Sequence, residues 1–316
     1  MVDSFTTYII REEYEKYKQL GDPISNISDF IDWERFRKII SPLYNDNKTD
    51  GGRPHFDEII MIKALVLQHL YGLSDYELES NIYDRMSFRH FLGFPDTIPD
   101  RSKIWLFRER LINNNCLDLI WEELQQQIDN LGFGIQSGVI QDATFITSDP
   151  GHAKKDKPRG DEALTRRSKD GTWCKKGNST YFGYKMYTLV DKDFLIIREV
   201  ATTTASVHDS KIDLSEPGQT VYHDKGYFGV KPKASMDKTM HRATRDHPLS
   251  CKEKRRNKAI SRVRSLGELP YAVMKRLFKA GHVLVTTIER VHAKNIFSCF
   301  SYNLYRLTSI HKTMSE

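Results

Sequence analysis

The stretch Gln136–Asp142, which reads Gln-Ser-Gly-Val-Ile-Gln-Asp, decides how the rest of the chain is interpreted. A short apolar run that ends on a carboxylate is typical of a β-strand that delivers an acid to the edge of a sheet. Asp142 is therefore the first candidate metal ligand. Two later stretches are suited to meet it: Val221–Tyr227, a strand that leads into Asp224, and Arg264–Glu268, within a basic helical segment.

The composition limits the class of protein. The chain has 316 residues, of which 39% are hydrophobic, so it can form one large domain and a smaller one around a real core. The net charge of +6 is a mild excess that says little alone. The four cysteines are widely spaced, so neither a disulfide framework nor a zinc site is indicated. The start, Met1–Glu13, has no apolar core of an export signal, and the most apolar run, Ile59–Leu67, is short. These features predict no membrane span and a cytoplasmic, nucleoid-associated protein.

Residues 1–132 read as an all-helical domain. Asp57 can cap one helix, and Ser74 with Glu77 three residues later forms a capping-box pattern at the start of the next. Cys116–Leu131 closes the domain as an amphipathic helix. Short helices joined by tight turns and carrying cationic side chains are compatible with a helix-turn-helix DNA reader. A packed helical bundle whose charges face water explains the same pattern, so both interpretations stay open.

From residue 133 the pattern changes to alternating apolar strands with turns, which predicts an α/β domain over 133–316. Tyr181–Val190 and Phe194–Thr203 are expected to pair as a hairpin. The acids of its turn, Asp191 and Asp193, could be ligands, although turns also attract aspartate for local hydrogen bonding.

Two segments concentrate positive charge. Residues 150–176 read as a basic loop with nine cations against four acids, although a solvated loop is an equally ordinary explanation. Between Cys251 and Arg264, seven cations stand against one acid. Cations at that density repel one another unless an anion lies nearby, so nucleic acid is the expected partner. Arg256, Arg262 and Arg264 are candidate contacts.

Arg264, Glu268 and Lys275 share one face of an ideal helix, because they are spaced by four and seven residues. One carboxylate flanked by two cations suits an acid that binds a divalent ion while its neighbours hold phosphates. Gly267 and Pro270 disturb this pattern, since proline in a helix interior removes a hydrogen bond. Either the helix kinks there, or it begins near Pro270 and Arg264 leaves the shared face.

Short motifs spread along the chain match one known family. They are Gly-Arg-Pro at 52–54, Tyr71–Asp75, Ser87–Gly93 and Pro99–Ser102 in the first part, and Asp142–Thr144, Phe182–Lys185, His208–Ser210 and Asp224–Tyr227 in the second. Together they resemble the DDE transposases of prokaryotic insertion sequences, in particular the insertion sequence five group of the insertion sequence four-like superfamily. The resemblance covers nearly the whole chain.

The resemblance implies that Asp142, Asp224 and Glu268 are the catalytic acids and metal ligands. They would stand on a ribonuclease H-like core, a mixed sheet flanked by helices, preceded by a helical domain that binds DNA ends. Related transposases carry a Tyr-Arg-Glu-Lys signature, which Arg264, Glu268 and Lys275 match. Ser261 stands at the tyrosine position, and this departure leaves the tyrosine's role unassigned.

The implied activity is transposition. The protein would bind the terminal inverted repeats of its element as double-stranded DNA, cleave with two Mg²⁺ ions per site, and join the 3′ ends to target DNA. Mn²⁺ is an alternative ion, and a homodimer on DNA is expected because two ends must be joined. Lys225 and Lys185 are further phosphate-contact candidates, and Trp173 either stacks on an unpaired base or lies in the core. Two alternatives remain open: a catalytically inactive or domesticated transposase-derived DNA-binding protein, and a structure-specific DNA nuclease.

Overall fold

The structure is a computed structural model and describes residues 5–22, 24–44, 54–151, 168–245 and 248–315. None of the helices in those ranges combines the length and apolar character needed to span a bilayer. The chain divides into two compact units. The first comprises Met1–Gly132 together with Asn303–Glu316, and the second comprises Phe133–Tyr302. The sequence pattern instead predicts that the C-terminal segment belongs to the second domain, residues 133–316.

The first unit is built from α-helices in its described residues. Their boundaries follow local signals: the Asp57 carboxylate accepts hydrogen bonds from the first-turn N–H groups of its helix, and Ser74 and Glu77 form the expected reciprocal capping box. Both sequence predictions are confirmed. The helices are α1 (Phe5–Lys18), α2 (Glu34–Ile40), α3 (Glu58–Leu70), α4 (Asp75–Asp84), α5 (Met86–Phe91), α6 (Arg101–Asn113) and α7 (Cys116–Asn130).

Helix α1 was not predicted, because its segment is polar overall. One aromatic side chain anchors it: Tyr14 is fully buried, stacks on His90 with ring centroids 3.9 Å apart, and donates a hydrogen bond of 2.8 Å to Asp22. A single buried ring does not produce the repeating apolar stripe from which helices are predicted.

Arg108 of α6 illustrates why cationic side chains on a helix are weak evidence for DNA binding. Its guanidinium donates to both carboxylate oxygens of Asp75, at 3.0 and 2.8 Å, and to Gln68 Oε1 at 3.1 Å. This fork joins α6 to the start of α4 and the end of α3. Arg108 therefore stabilises the bundle through an ion pair within it, whereas the bundle interpretation expected its charges to face water.

The second unit is organised around a mixed sheet. Along it the order is β2-β3-β1-β5-β6, with β4 also pairing with β3 and β7 also pairing with β1. β1 pairs antiparallel with β3 and parallel with β5, and β5 pairs parallel with β6. The strands are β1 (Val139–Ser148), β2 (Thr172–Lys176), β3 (Ser179–Asp191), β4 (Ile197–Thr204), β5 (Thr220–His223), β6 (Met236–Thr239) and β7 (His282–Val283).

Strand β1 differs from its prediction in length. It continues six residues past Asp142 to Ser148, so this acid lies within the strand and not at its end. The later half remains a strand because it pairs with β3 as far as Thr147 opposite Gly183. Of the predicted basic loop, residues 152–167 lie outside the described residues, and its last part forms β2.

The predicted β3–β4 hairpin is confirmed. Its turn acids have structural partners: Asp191 Oδ1 accepts from the N–H groups of Asp193 and Phe194, and Asp193 accepts from Ser137. These are the local hydrogen bonds for which turns select aspartate. The two residues thus form and anchor the turn.

Three helices complete the second unit: α8 (Cys251–Arg264), α9 (Glu268–Arg276) and α10 (Ile288–Ser315), the last of which continues past Tyr302 into the C-terminal segment. A 3₁₀ turn, Ser265–Gly267, joins α8 to α9. Pro270 is the third residue of α9, so it sits in the first turn, where a missing N–H breaks no helical hydrogen bond. Of the two alternatives, the helix that begins near Pro270 is correct.

Candidate active site

Asp142 and Asp224 are brought together by strand register. β1 and β5 are neighbouring parallel strands with Ile140 opposite Tyr222, and each acid lies two residues further along. Side chains two residues apart point to the same face, and neighbouring strands lie about 4.8 Å apart. Burial raises the pKa of Asp142, and the Asp224 carboxylate raises it further, while Arg264 acts in the opposite direction. The two acids therefore share one electrostatic environment.

Asp224 is oriented by the turn that it begins. Its Oδ1 accepts a hydrogen bond of 2.6 Å from the N–H of Gly226, within the 3₁₀ turn Lys225–Tyr227. A Cβ on Gly226 would lie 2.9 Å from that same oxygen, so a side chain there would push the carboxylate aside. Glycine at this position lets the acid fold back onto its own backbone.

Glu268 is delivered by a close approach of the Ser265–Gly267 turn to β1. A Cβ on Gly267 would lie 2.7 Å from Cγ2 of Ile140, two residues before Asp142. The absence of a side chain at Gly267 allows this approach. Glu268 follows as the first residue of α9, with a side chain 62% exposed.

Arg264 joins two of the three acids. Its Nη1 donates to Asp142 Oδ2 at 2.9 Å and its Nη2 to Glu268 Oε1 at 3.2 Å. The expectation that Arg264 leaves the shared face when the helix restarts is therefore wrong. The reason is that Gly267 and its neighbours keep right-handed helical torsions, so the chain continues to turn in the same sense through the break.

Tyr271 contacts the backbone of Asp142. The Tyr271 hydroxyl donates to the backbone carbonyl of Asp142 at 2.7 Å and accepts from Thr188 Oγ1 at 2.8 Å. Sequence analysis missed this residue. A signal was present, since Tyr271 lies three residues after Glu268 and so on the same side of α9.

The donor set has the chemistry of a site for hard cations, since carboxylate oxygens are the ligands that Mg²⁺ prefers. Among the described residues, however, no group of three or more His, Cys, Asp or Glu side chains is arranged around a point that could hold an ion. The guanidinium of Arg264 contacts Asp142 and Glu268 instead. The acids thus fit a divalent cation by chemical type, and Glu268 has to turn from Arg264 to complete such a set.

Besides Arg264, two further cations predicted to contact DNA are bonded to the protein itself. Lys185 on β3 is buried, and its ammonium donates to Asp209 Oδ1 at 2.8 Å and to the Val207 carbonyl at 2.7 Å. Arg256 donates to the Thr239 carbonyl of β6 at 2.7 Å. Both are weaker candidates for DNA contact than their charge suggested.

The remaining predicted contacts lie at the surface or near it. Lys225 and Arg262 are exposed. Lys275 lies against Gly281, and partial burial together with the nearby Lys176 ammonium lowers its pKa. Trp173 is 54% exposed on β2, with its ring 5.2 Å from that of Phe182, so the core position considered for it is wrong.

Comparison with known proteins places the chain in a family. A transposase domain (DUF772) matches residues 12–110, and a transposase DDE domain matches residues 134–304, more than half of the chain. A cryo-EM structure of the piggyBac transposase synaptic complex with hairpin DNA is 10% identical, with 92% of this chain and 76% of that chain covered. Its TM-score of 0.38 is too low to indicate a shared fold. On the strength of the domain matches, the chain belongs to the DDE transposase family.

Proposed function

We propose that this protein is the transposase of an insertion sequence of the insertion sequence five group. It would bind the terminal inverted repeats of its element, cleave there and join the freed 3′ ends to target DNA. The observation that carries the proposal is that Arg264 contacts both Asp142 and Glu268, while the pKa of Asp142, raised by burial, is raised further by the Asp224 carboxylate. Asp142 lies on β1, and Asp224 directly follows the neighbouring parallel strand β5, each two residues beyond the pair Ile140–Tyr222. Glu268 is linked to Asp142 through the Arg264 guanidinium.

The proposed catalytic core is ribonuclease H-like, and the first unit is proposed to hold the DNA ends. The sheet supports the first statement: three parallel strands, β1, β5 and β6, are followed on the other side of β1 by the antiparallel β3. This order puts the two aspartates at the centre of the sheet. The match of a transposase domain to residues 12–110 supports the second.

The proposed cofactors are two Mg²⁺ ions, with Mn²⁺ as a substitute, held by Asp142, Asp224 and Glu268. When bound, such ions activate a water or hydroxyl nucleophile and stabilise the leaving oxygen. The protein's own part is positional. Tyr271 fixes the Asp142 peptide, the Gly226 N–H fixes the Asp224 carboxylate, and Gly267 lets Glu268 approach.

Cationic side chains around the acids are proposed to hold DNA. Once Arg264 releases the carboxylates, its planar fork suits a phosphate, which it can contact through two parallel hydrogen bonds. Lys275, Lys225 and Arg262 would contact neighbouring phosphates, and the exposed ring of Trp173 would stack on an unpaired base. Because two element ends must be joined, we further propose that two copies act together on DNA.

The test is cleavage of a DNA duplex that carries the inverted repeats flanking the gene. Asp142→Asn is expected to abolish cleavage with Mg²⁺ or Mn²⁺ while binding of the same duplex, measured by gel shift, stays within about twofold. Asp149→Asn is the matched control, because this acid follows the same strand and its carboxylate accepts a local hydrogen bond from the N–H of Gly151. Retained cleavage in Asp142→Asn would refute the assignment.

The two alternative functions predict different results in this assay. An inactive DNA-binding protein would follow if Gly267 and Pro270 displaced Glu268, but this acid contacts Arg264 beside Asp142. A junction-specific nuclease would cut branched DNA without terminal repeats and would not join a 3′ end to a second duplex. The same assay distinguishes it by the joined product.

A further inference from the structure

A second carboxylate and cation lie next to the Asp224 turn. Asp209 begins the 3₁₀ turn Asp209–Lys211, and its Oδ1 accepts from Lys185 Nζ at 2.8 Å and from the Tyr187 hydroxyl at 3.2 Å. The Lys185 side chain is 8% exposed and that of Asp209 is 33% exposed. The pair is therefore largely withdrawn from solvent.

Such a pair is costly to keep in this place. Removing an ammonium or a carboxylate from water has a large free-energy cost, which their attraction and further hydrogen bonds have to offset. Lys185 is satisfied by a second bond to the Val207 carbonyl, which fixes the backbone just before Asp209. The position of Asp209 is thus determined from two sides, by its side chain and by the preceding chain.

Gly226 links this pair to the acid of the candidate active site. A Cβ at Gly226 would lie 2.9 Å from Asp224 Oδ1 and 3.7 Å from Asp209 Oδ2. One backbone position is therefore in contact range of two carboxylates from different turns. Asp209 Oδ1 faces Lys185 and Tyr187, which leaves Oδ2 on the side of the Asp224 turn.

The negative charges of Asp209 and Asp224 explain why a cation, Lys185, is needed beside Asp209. Carboxylates on two turns that pack together repel one another, and the repulsion would push the Asp209 turn away from the Asp224 turn. Lys185 neutralises Asp209, so the two turns can pack together while Asp224 stays available to a ligand. His208 holds the same turn from its other end, with Nδ1 2.7 Å from Ser210 Oγ.

We propose that Asp209, held by Lys185, is a positioning residue that sets the orientation of Asp224 for divalent-cation binding. This inference rests on the proposed function, since it takes Asp224 to be a metal ligand. Asp209 itself binds no ion. Residues that orient metal ligands typically change metal affinity 10- to 100-fold when they are replaced.

Two single variants distinguish a role of Asp209 in orienting Asp224 from a general electrostatic effect of nearby charge on Mn²⁺ affinity. Asp209→Asn removes a negative charge near the site, and Lys185→Met removes a positive one. If only the field mattered, Mn²⁺ affinity would fall in the first and rise in the second. If Asp209 positions Asp224, both variants lose the pair, and Mn²⁺ affinity falls in both by about tenfold or more.

The measurement is Mn²⁺ binding to the full chain, by electron paramagnetic resonance and calorimetry, alongside thermal unfolding. Glu253→Gln is the control, because it breaks the Glu253–His241 contact elsewhere in the same unit. It is expected to shift the unfolding midpoint without changing Mn²⁺ affinity. Asp209→Glu is expected to restore part of the affinity lost in Asp209→Asn.

The outcomes are distinguishable. Unchanged Mn²⁺ affinity in Asp209→Asn, with only a lowered unfolding midpoint, would reduce the pair to a structural contact and overturn the inference. Opposite changes in the two single variants would overturn it as well. If Asp224→Asn leaves Mn²⁺ binding of the full chain unchanged, the proposed function fails, and this inference fails with it.

Discussion

At the scale of single residues, the absence of a side chain at Gly267 is expected to matter most for stability and for the position of Glu268. Gly267→Ala would place a methyl group 2.7 Å from Cγ2 of Ile140, a fully buried side chain on the central strand. We expect a loss of roughly 1–3 kcal/mol in the free energy of unfolding, because overpacking forces a backbone shift. Cleavage should fall too, since the shift moves Glu268 away from Asp142. Denaturant unfolding and the cleavage assay measure the two effects.

Gly281→Ala is the matched control. Its Cβ would meet Lys275 Cγ at 3.5 Å, an ordinary van der Waals contact with a flexible side chain. This variant is expected to keep stability within about 0.5 kcal/mol of the unmodified protein. Equal behaviour of the two glycine variants would show that the approach of Gly267 to Ile140 is not needed.

The three candidate acids were chosen from the sequence, but the contact that links two of them through Arg264 was not predicted. Asp142 and Asp224 could be chosen because each follows an apolar run, and strand register then brings them together. The bridge by Arg264 could not be predicted, because it depends on whether the chain keeps turning through Gly267. That choice is made by packing on Ile140, a residue more than a hundred positions away in sequence.

At the scale of secondary-structure elements, the basic helix α8 depends on its first turn. Ser250 and Glu253 form a capping box there, and the backbone N–H of Ser250 and contacts with His241 lower the pKa of Glu253 to about 2 from its ordinary 4.5. A carboxyl whose pKa is lowered in the folded state stabilises the fold above its unfolded pKa. That contribution is lost as the pH falls from about 4.5 through about 2.

The expected result is a pH-dependent difference between the protein and Glu253→Gln. At pH 6 the variant should unfold at a lower temperature, and the difference should shrink steadily as the pH is lowered from 5 towards 2. Circular dichroism at 222 nm follows the transition in both proteins. A difference that is constant with pH would mean that the carboxylate form of Glu253 is not what caps α8.

The elements that sequence reasoning placed best are those with local signals. The α3 and α4 caps and the β3–β4 hairpin each carry their signal within a few residues. The sequence prediction ended β1 too early. The second half of this strand, with Thr144 and Thr147, lacks an apolar run and is held by pairing with β3. Such a strand depends on a partner far along the chain, which a local pattern does not contain.

At the scale of the whole molecule, DNA binding should depend on salt. A protein that neutralises phosphates loses affinity with a slope of about −0.9 per contact in a plot of log K against log salt concentration. Arg262→Gln should reduce that slope by about 0.9, since this exposed cation is proposed to contact a phosphate. Arg256→Gln should lower the unfolding midpoint and leave the slope unchanged, because Arg256 is bonded to Thr239. Fluorescence anisotropy at several salt concentrations measures both slopes.

The first unit should depend on residues 303–316. Leu304 and Leu307 are buried, and the His311 ring lies 5.7 Å from that of Phe30. Truncation after Tyr302 should cost the first unit several kcal/mol, because each buried leucine contributes about 2–5 kcal/mol. Three of the four tryptophans, Trp33, Trp105 and Trp121, lie in this unit, so fluorescence reports on it. A chain truncated after Thr313 is the control, and an unchanged midpoint at 302 would contradict the division into units.

The first unit is formed from two separate stretches of the chain, and this limits how copies of the gene can be shortened or recombined without loss of that unit. A stop codon shortly before position 303 would leave every proposed catalytic acid encoded, yet the amino-terminal unit of the product would remain unfinished. Exchange between related elements by one crossover near codon 132 would likewise combine residues 1–132 of one protein with residues 303–316 of the other. The codons for residues 1–132 and 303–316 are therefore expected to be inherited together.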